Sequence, residues 1–203
     1  MKKSIKILIA ALLIAVVAVV AVLIIKKDSN TENNNETEKK SEQQATNLEP
    51  VEKSEDLETL VNKLYEGQEN VLPSIFTQSV DMTDEDMVKY VTALEDIKDI
   101  EYVTVSEPMM TSQAYSLVLV KVKEGVDADK IAKEMNKNAD PRKWICVTAE
   151  KVYTTSSGDV VCFIMSSEEL AKPIYEKFKA LAGTIGNEYE RTEQEPELPE
   201  DMY

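Results

Sequence analysis

The chain has 203 residues and a formal net charge of −15, with 38 acidic side chains against 23 basic ones and no histidine. That length holds one well-buried domain once tethers are set aside, and the acidity disfavours nucleic acid and anionic surfaces as partners. Without histidine there is no Ser-His-Asp triad, no Cys-His pair and no histidine metal site.

The first segment, residues 1–27, carries Lys2, Lys3 and Lys6 ahead of an uncharged apolar run from Ile7 to Ile25, closed by Lys26 and Lys27. As a helix that run spans roughly 28 Å, the thickness of a bilayer's hydrocarbon core. A cleaved signal peptide is the rival reading, with Val19-Val20-Ala21 as a weak small-residue site, but the apolar run continues past it. The segment therefore reads as a single-pass anchor in the cell membrane, its partner the lipid bilayer, with the basic N-terminus inside and the C-terminal domain extracytoplasmic. Residues 28–53 are rich in Asn, Glu, Ser and Thr and nearly free of large apolar side chains. Such a stretch cannot bury enough surface to fold and reads as a disordered stalk.

Residues 54–186 form the expected domain. Ser54 is an N-cap candidate for a helix carrying Leu57, Leu60, Val61, Leu64 and Tyr65 up to Gly67. Pro73 and its neighbours read as a connector. A second helix is expected from Thr83, with Asp84, Glu85 and Asp86 in its first turn and Met87, Val88, Val91 and Leu94 as apolar positions.

Beyond Ile100 the pattern switches to strands, twice. "YVTVSEPMMTSQAYSLVLVK" (102–121) aligns without a gap on "CVTAEKVYTTSSGDVVCFIM" (146–165), and Ile131 and Met135 then match Ile174 and Phe178 in following helices. The expected fold class is α+β: a mostly antiparallel sheet of about four strands, built as two ββα units with helices on one face, plus two additional N-terminal helices. Asp127 is placed to cap the first of the paired helices. Ser166 and Glu169 have capping-box spacing ahead of the second, which ends at Gly183 and should bend or start late at Pro173. Residues 187–203 are acidic with two prolines and read as a disordered tail.

With Ser157 and Gly158 at the centre of the "SSGD" turn, Cys162 faces Tyr153, and Cys146 lies roughly 23 Å away along the strand on the opposite face. A disulfide needs Cα atoms within about 7 Å, so both thiols are expected free and no disulfide is assigned.

Neither a phosphate-binding loop nor a recognised serine-nucleophile motif occurs, and no pattern calls for a cofactor or a metal. Asp81, Asp84, Glu85 and Asp86 offer oxygen ligands or a carboxylate pair for a hydrolase, yet acids in a first helical turn already complement the helix dipole. Arg142, Lys143 and the only tryptophan, Trp144, follow Asp140-Pro141. They suit a ligand with an anionic group and an apolar face; the alternative is a turn with Trp144 opening a core strand.

The stretch "PRKWICVTAEKV", with "GDVVCFIMSSEE" after it and "YSLVLVKVKEG" before it, resembles the bacterial envelope family known as domain of unknown function 4358. The resemblance covers about Ser54 to Gly183 and implies an extracytoplasmic α+β domain with no site residues. The chain lacks the N-terminal cysteine of a lipoprotein, which leaves the apolar run as its anchor. The function expected is a non-catalytic binding or interaction module of the bacterial cell envelope, its partner an envelope protein or ligand, with a carboxylate-dependent hydrolase as the alternative.

Protease added to intact cells or spheroplasts is expected to digest the domain while a cytoplasmic control survives. Protection of the domain would reverse the orientation, and a mature N-terminus near Val22 would replace the anchor by a signal peptide.

Overall fold

The computed structural model describes residues 46–68, 74–110 and 112–193. The expected anchor and most of the stalk lie outside them, and no helix among the described residues is long and apolar enough to cross a membrane. Four helices occur in that part: α1 (Ser54–Tyr65), α2 (Glu85–Thr92), α3 (Ala128–Asn138) and α4 (Glu168–Ala182). Six strands, β1 (Ile75–Ser79), β2 (Ile100–Pro108), β3 (Ser116–Val122), β4 (Lys151–Ser157), β5 (Val160–Ser166) and β6 (Tyr189–Thr192), form one antiparallel sheet in the order β1-β2-β3-β5-β4-β6.

The class is α+β, but the described residues form six strands, not about four. The added strands are the two edges. β1 falls in the expected connector, and β6 falls beyond Gly186, inside the expected tail. Each is four or five residues long with only alternate positions covered, so neither carries an apolar run that announces a strand.

Helices also cover both faces of the sheet, not one. Leu117 and Leu119 of β3 and Val160, Cys162 and Ile164 of β5 pack under α1 and α4 with Leu57, Val61, Ile174 and Phe178. The alternate positions, Val118 and Val120 with Val161, Phe163 and Met165, pack under α2 and α3 with Val88, Val91, Ile131 and Met135. Every residue of β5 is buried, and a strand apolar at both parities needs cover on both sides.

The element order does give ββα twice, as β2-β3-α3 and β4-β5-α4. The gapless alignment holds for β3 against β5 and fails for the strands before them. Seven residues separate β2 from β3, whereas Gly158 and Asp159 alone join β4 to β5. Trp144 to Ala149 form no strand, and Cys146 sits at φ 63°.

The hairpin register differs as well. Cys162 pairs with Thr155, not Tyr153. Gly158, at φ 59°, is the first central residue of the turn, the place where a two-residue hairpin of the primed type needs glycine.

Caps follow local chemistry. Asp127 accepts from Asp129 N and Lys130 N, as expected. At α1 the N-cap is Lys53, and the Asp56 carboxylate accepts from Glu52 N and Lys53 N at 3.0 and 3.1 Å. Ser54 is already helical. At α4 the N-cap is Ser167, because Ser166 belongs to β5 and its Oγ donates to Ala114 O at 2.7 Å. The helix runs through Pro173 to Ala182.

β6 is fastened to α3 by polar side chains. Asn136 Nδ2 donates to Thr154 Oγ1 and Tyr189 O, both at 3.2 Å, and Asp129 accepts from Asn187 N, Asn187 Nδ2 and the Tyr189 hydroxyl.

Both cysteines are unpaired, Cys146 exposed and Cys162 buried, and burial pushes the Cys162 thiol well up. Since thiolate is the reactive form, alkylation of the folded protein is expected to add one label, on Cys146, and a second only after denaturation. Two labels on the folded protein would contradict the packing under α1 and α4.

Candidate functional site

The sheet positions one row of side chains at its β2 to β5 end, on the α2/α3 face. Phe76 of β1 pairs with Glu107 of β2, and Ser116 of β3 pairs with Met165 of β5. Ser116 Oγ donates to Glu107 Oε1 at 2.6 Å, which joins β3 to β2.

The segment between α3 and β4 delivers the third member. Asp140 Oδ1 accepts from Arg142 N at 2.9 Å, and Ala149 N donates to the carbonyl of buried Pro141 at 2.8 Å. The segment is thus pinched at its base. Ile145 and Cys146 point outward while Lys143 and Trp144 fold back.

Lys143 Nζ donates to Glu107 Oε1 at 2.6 Å and to Ser116 Oγ at 3.3 Å. The same ammonium lies 5.2 Å from the centroids of both Tyr90 and Trp144, within reach of a cation–π attraction. Its side chain is 9% exposed and that of Glu107 27%. A carboxylate, a hydroxyl and two ring faces stand in for the water that burial removes from this side chain.

Beside this cluster lies a cleft of about 390 Å³ whose lining joins apolar Val91, Ala93, Ala139, Phe163 and Met165 to polar Asn138 and Asp140, with Tyr90 and Lys143. Exposed apolar side chains occur on the same segments: Tyr90 and Met87 on the outer stripe of α2, and Ile145, which is 70% exposed. Desolvation, then the charge of Glu107, pushes the Tyr90 phenol up.

The structure therefore brings Lys143 and Trp144 together and gives Lys143 an internal counter-ion. Arg142 stays outside, exposed, with its Nε 3.9 Å from Asp140. Trp144 is half-buried against the α2/α3 core without opening a strand. Glu107, Ser116 and Tyr90 complete the cluster. Met87 and Tyr90 carried a signal, since they widen the apolar stripe of α2 beyond its buried Val88 and Val91.

Among the other candidate residues, Asp81 Oδ1 accepts from Thr83 N and Thr83 Oγ1, bonds that hold its carboxyl below the usual range. Asp84 Oδ1 caps α2 through Met87 N. No group of three or more Cys, Asp or Glu among the described residues is placed to hold a metal ion. No family model matches the chain, and neither a curated protein nor a solved structure matches it.

The ion pair is separable from the core. Lys143→Met is expected to destabilise the full chain by roughly 1.5–3 kcal/mol, the scale of a charge-assisted hydrogen bond left half-made. Adding Glu107→Gln should cost less than the two single effects together. Denaturant unfolding in detergent measures this, and additive effects would mean that the pair is not coupled.

Proposed function

We propose that the chain is a membrane-anchored extracytoplasmic binding module of the bacterial cell envelope, and that it meets its partner at the α2 and Lys143 end of the sheet. The observation that carries this reading is a cleft lined by Val91, Phe163 and Met165 and by exposed Tyr90, with exposed Met87 on the same helix and exposed Ile145 two residues beyond its Lys143. In an acidic chain, a partly apolar cleft with large apolar side chains held in water on the segments that line it marks a contact surface.

The Lys143–Glu107 pair supports the surface without presenting a free charge to it. What favours binding over a carboxylate-dependent hydrolase is that Asp81 and Asp84 are already spent on local caps. The apolar run Ile7 to Ile25 supports the anchor, and the likeness to domain of unknown function 4358 supports the envelope setting.

A photo-crosslinking residue at Ile145 of the full-length membrane protein is expected to give a discrete adduct, lost on Tyr90→Asp. The same probe at Glu176, on α4 across the sheet, should give none. Equal labelling from both positions would sink the assignment, as would turnover in a hydrolase screen abolished by Asp84→Asn in folded protein.

A further inference from the structure

The two edges of the sheet are built differently. β6 carries Glu190 and Arg191, and charged side chains are a usual device for keeping an edge strand from pairing with another chain. β1 reads IFTQS, with neither charge nor proline, in a chain of which 30% of residues are charged. Its Phe76 is 54% exposed.

Hydrogen-bond parity shows what this edge offers. Val80 N donates to Val103 O, and Met109 N donates to Ser74 O. In the antiparallel register of β1 on β2, the even-numbered residues thus bond inward, and Ile75, Thr77 and Ser79 turn their N–H and C=O groups outward. The N–H of Ser79 is already spent. It donates to Glu58 Oε1 at 2.8 Å, and Ser79 Oγ donates to the same oxygen at 2.7 Å. The outward groups of Ile75 and Thr77 have no partner among the described residues.

We propose that β1 is a homodimerisation edge, onto which a second copy of this chain adds antiparallel with a twofold axis through Phe76. Ile75 of each copy then stands opposite Thr77 of the other, and each pair exchanges both N–H to O=C bonds. All the open groups of Ile75 and Thr77 are satisfied. A twofold at Thr77 would instead set Ile75 against Ser79, whose N–H Glu58 occupies, so Glu58 selects the register. Phe76 meets its own copy at the closest cross-strand position, where aromatic pairs are favourable.

Charge bears on the choice of edge. Two copies of so acidic a chain repel, and β1 brings no like charges into register. Salt should therefore strengthen the association by screening the rest. This inference goes beyond the partner-binding reading and does not depend on it.

The test uses the full-length protein in membranes, with Cys146→Ser to remove the exposed thiol. At a non-hydrogen-bonded pair the Cα atoms lie about 4.5 Å apart, inside the disulfide range. Phe76→Cys is therefore expected to cross-link to its own copy on mild oxidation. Gln78→Cys, with its copy roughly 13 Å away, should cross-link more slowly by about tenfold or more. Thr77→Pro removes an outward N–H together with the hydroxyl bond between Thr77 Oγ1 and Ser106 Oγ, and an edge strand tolerates proline there. Added to Phe76→Cys, it should cut cross-linking by a similar factor. Without oxidation, the unsubstituted protein in detergent should have the mass of two chains, more so at high salt, and Phe76→Lys that of one. Equal cross-linking at positions 76 and 78, none at either, or a single-chain mass for the unsubstituted protein at all concentrations would overturn the proposal.

Discussion

Strands β3 and β5 lie side by side at the centre of the sheet, and both carry apolar side chains on both faces of the pleat: LVLV in one, VVCFIM in the other. Burying each such side chain contributes roughly 1.5–3 kcal/mol, and leaving one face wet would forfeit that contribution at every second residue. The rest of the described fold answers this requirement. α1 and α4 cover Leu117, Leu119, Cys162 and Ile164, while α2 and α3 cover Val118, Val120, Phe163 and Met165. The two ββα units consequently send their helices to opposite faces. A twofold axis normal to the sheet, the operation that relates β3 to an antiparallel β5, would keep α3 and α4 on one face. Shared element order does not make this sheet symmetric.

What could be read from the sequence was whatever is written in local periodicity. α1 and α3 show apolar residues at helical spacing, and Asp127 sits where a cap belongs, so these elements were legible. The two-sided cover was also written, in the unbroken apolar run of β5. β1 and β6 were not legible. IFTQS and YERT are short, half-exposed edges that depend on Val105 and Val152 beside them, far away in sequence. The hairpin register turned on Gly158 taking the first turn position, a choice that composition alone leaves open.

The candidate site divides along the same line. Lys143 and Trp144 are sequence neighbours, and their proximity could be read directly. Their environment could not, because Glu107, Ser116 and Tyr90 arrive from three other elements and meet only through the sheet row and the cover of α2. That environment changes the chemistry. A lysine expected to attract an anionic ligand has its charge answered within the fold, and the cluster presents apolar surface instead.

If a doubly covered β3–β5 pair holds the fold together, its amides should open only when the whole domain unfolds. Residue-resolved hydrogen exchange tests this most directly. Val118, Leu119, Val161 and Cys162 are predicted to exchange slowest, at a free energy equal to that of global unfolding, with β1 and β6 exchanging earlier through local opening. Exchange of the β3 amides as fast as those of β1, at a free energy well below global unfolding, would contradict the account.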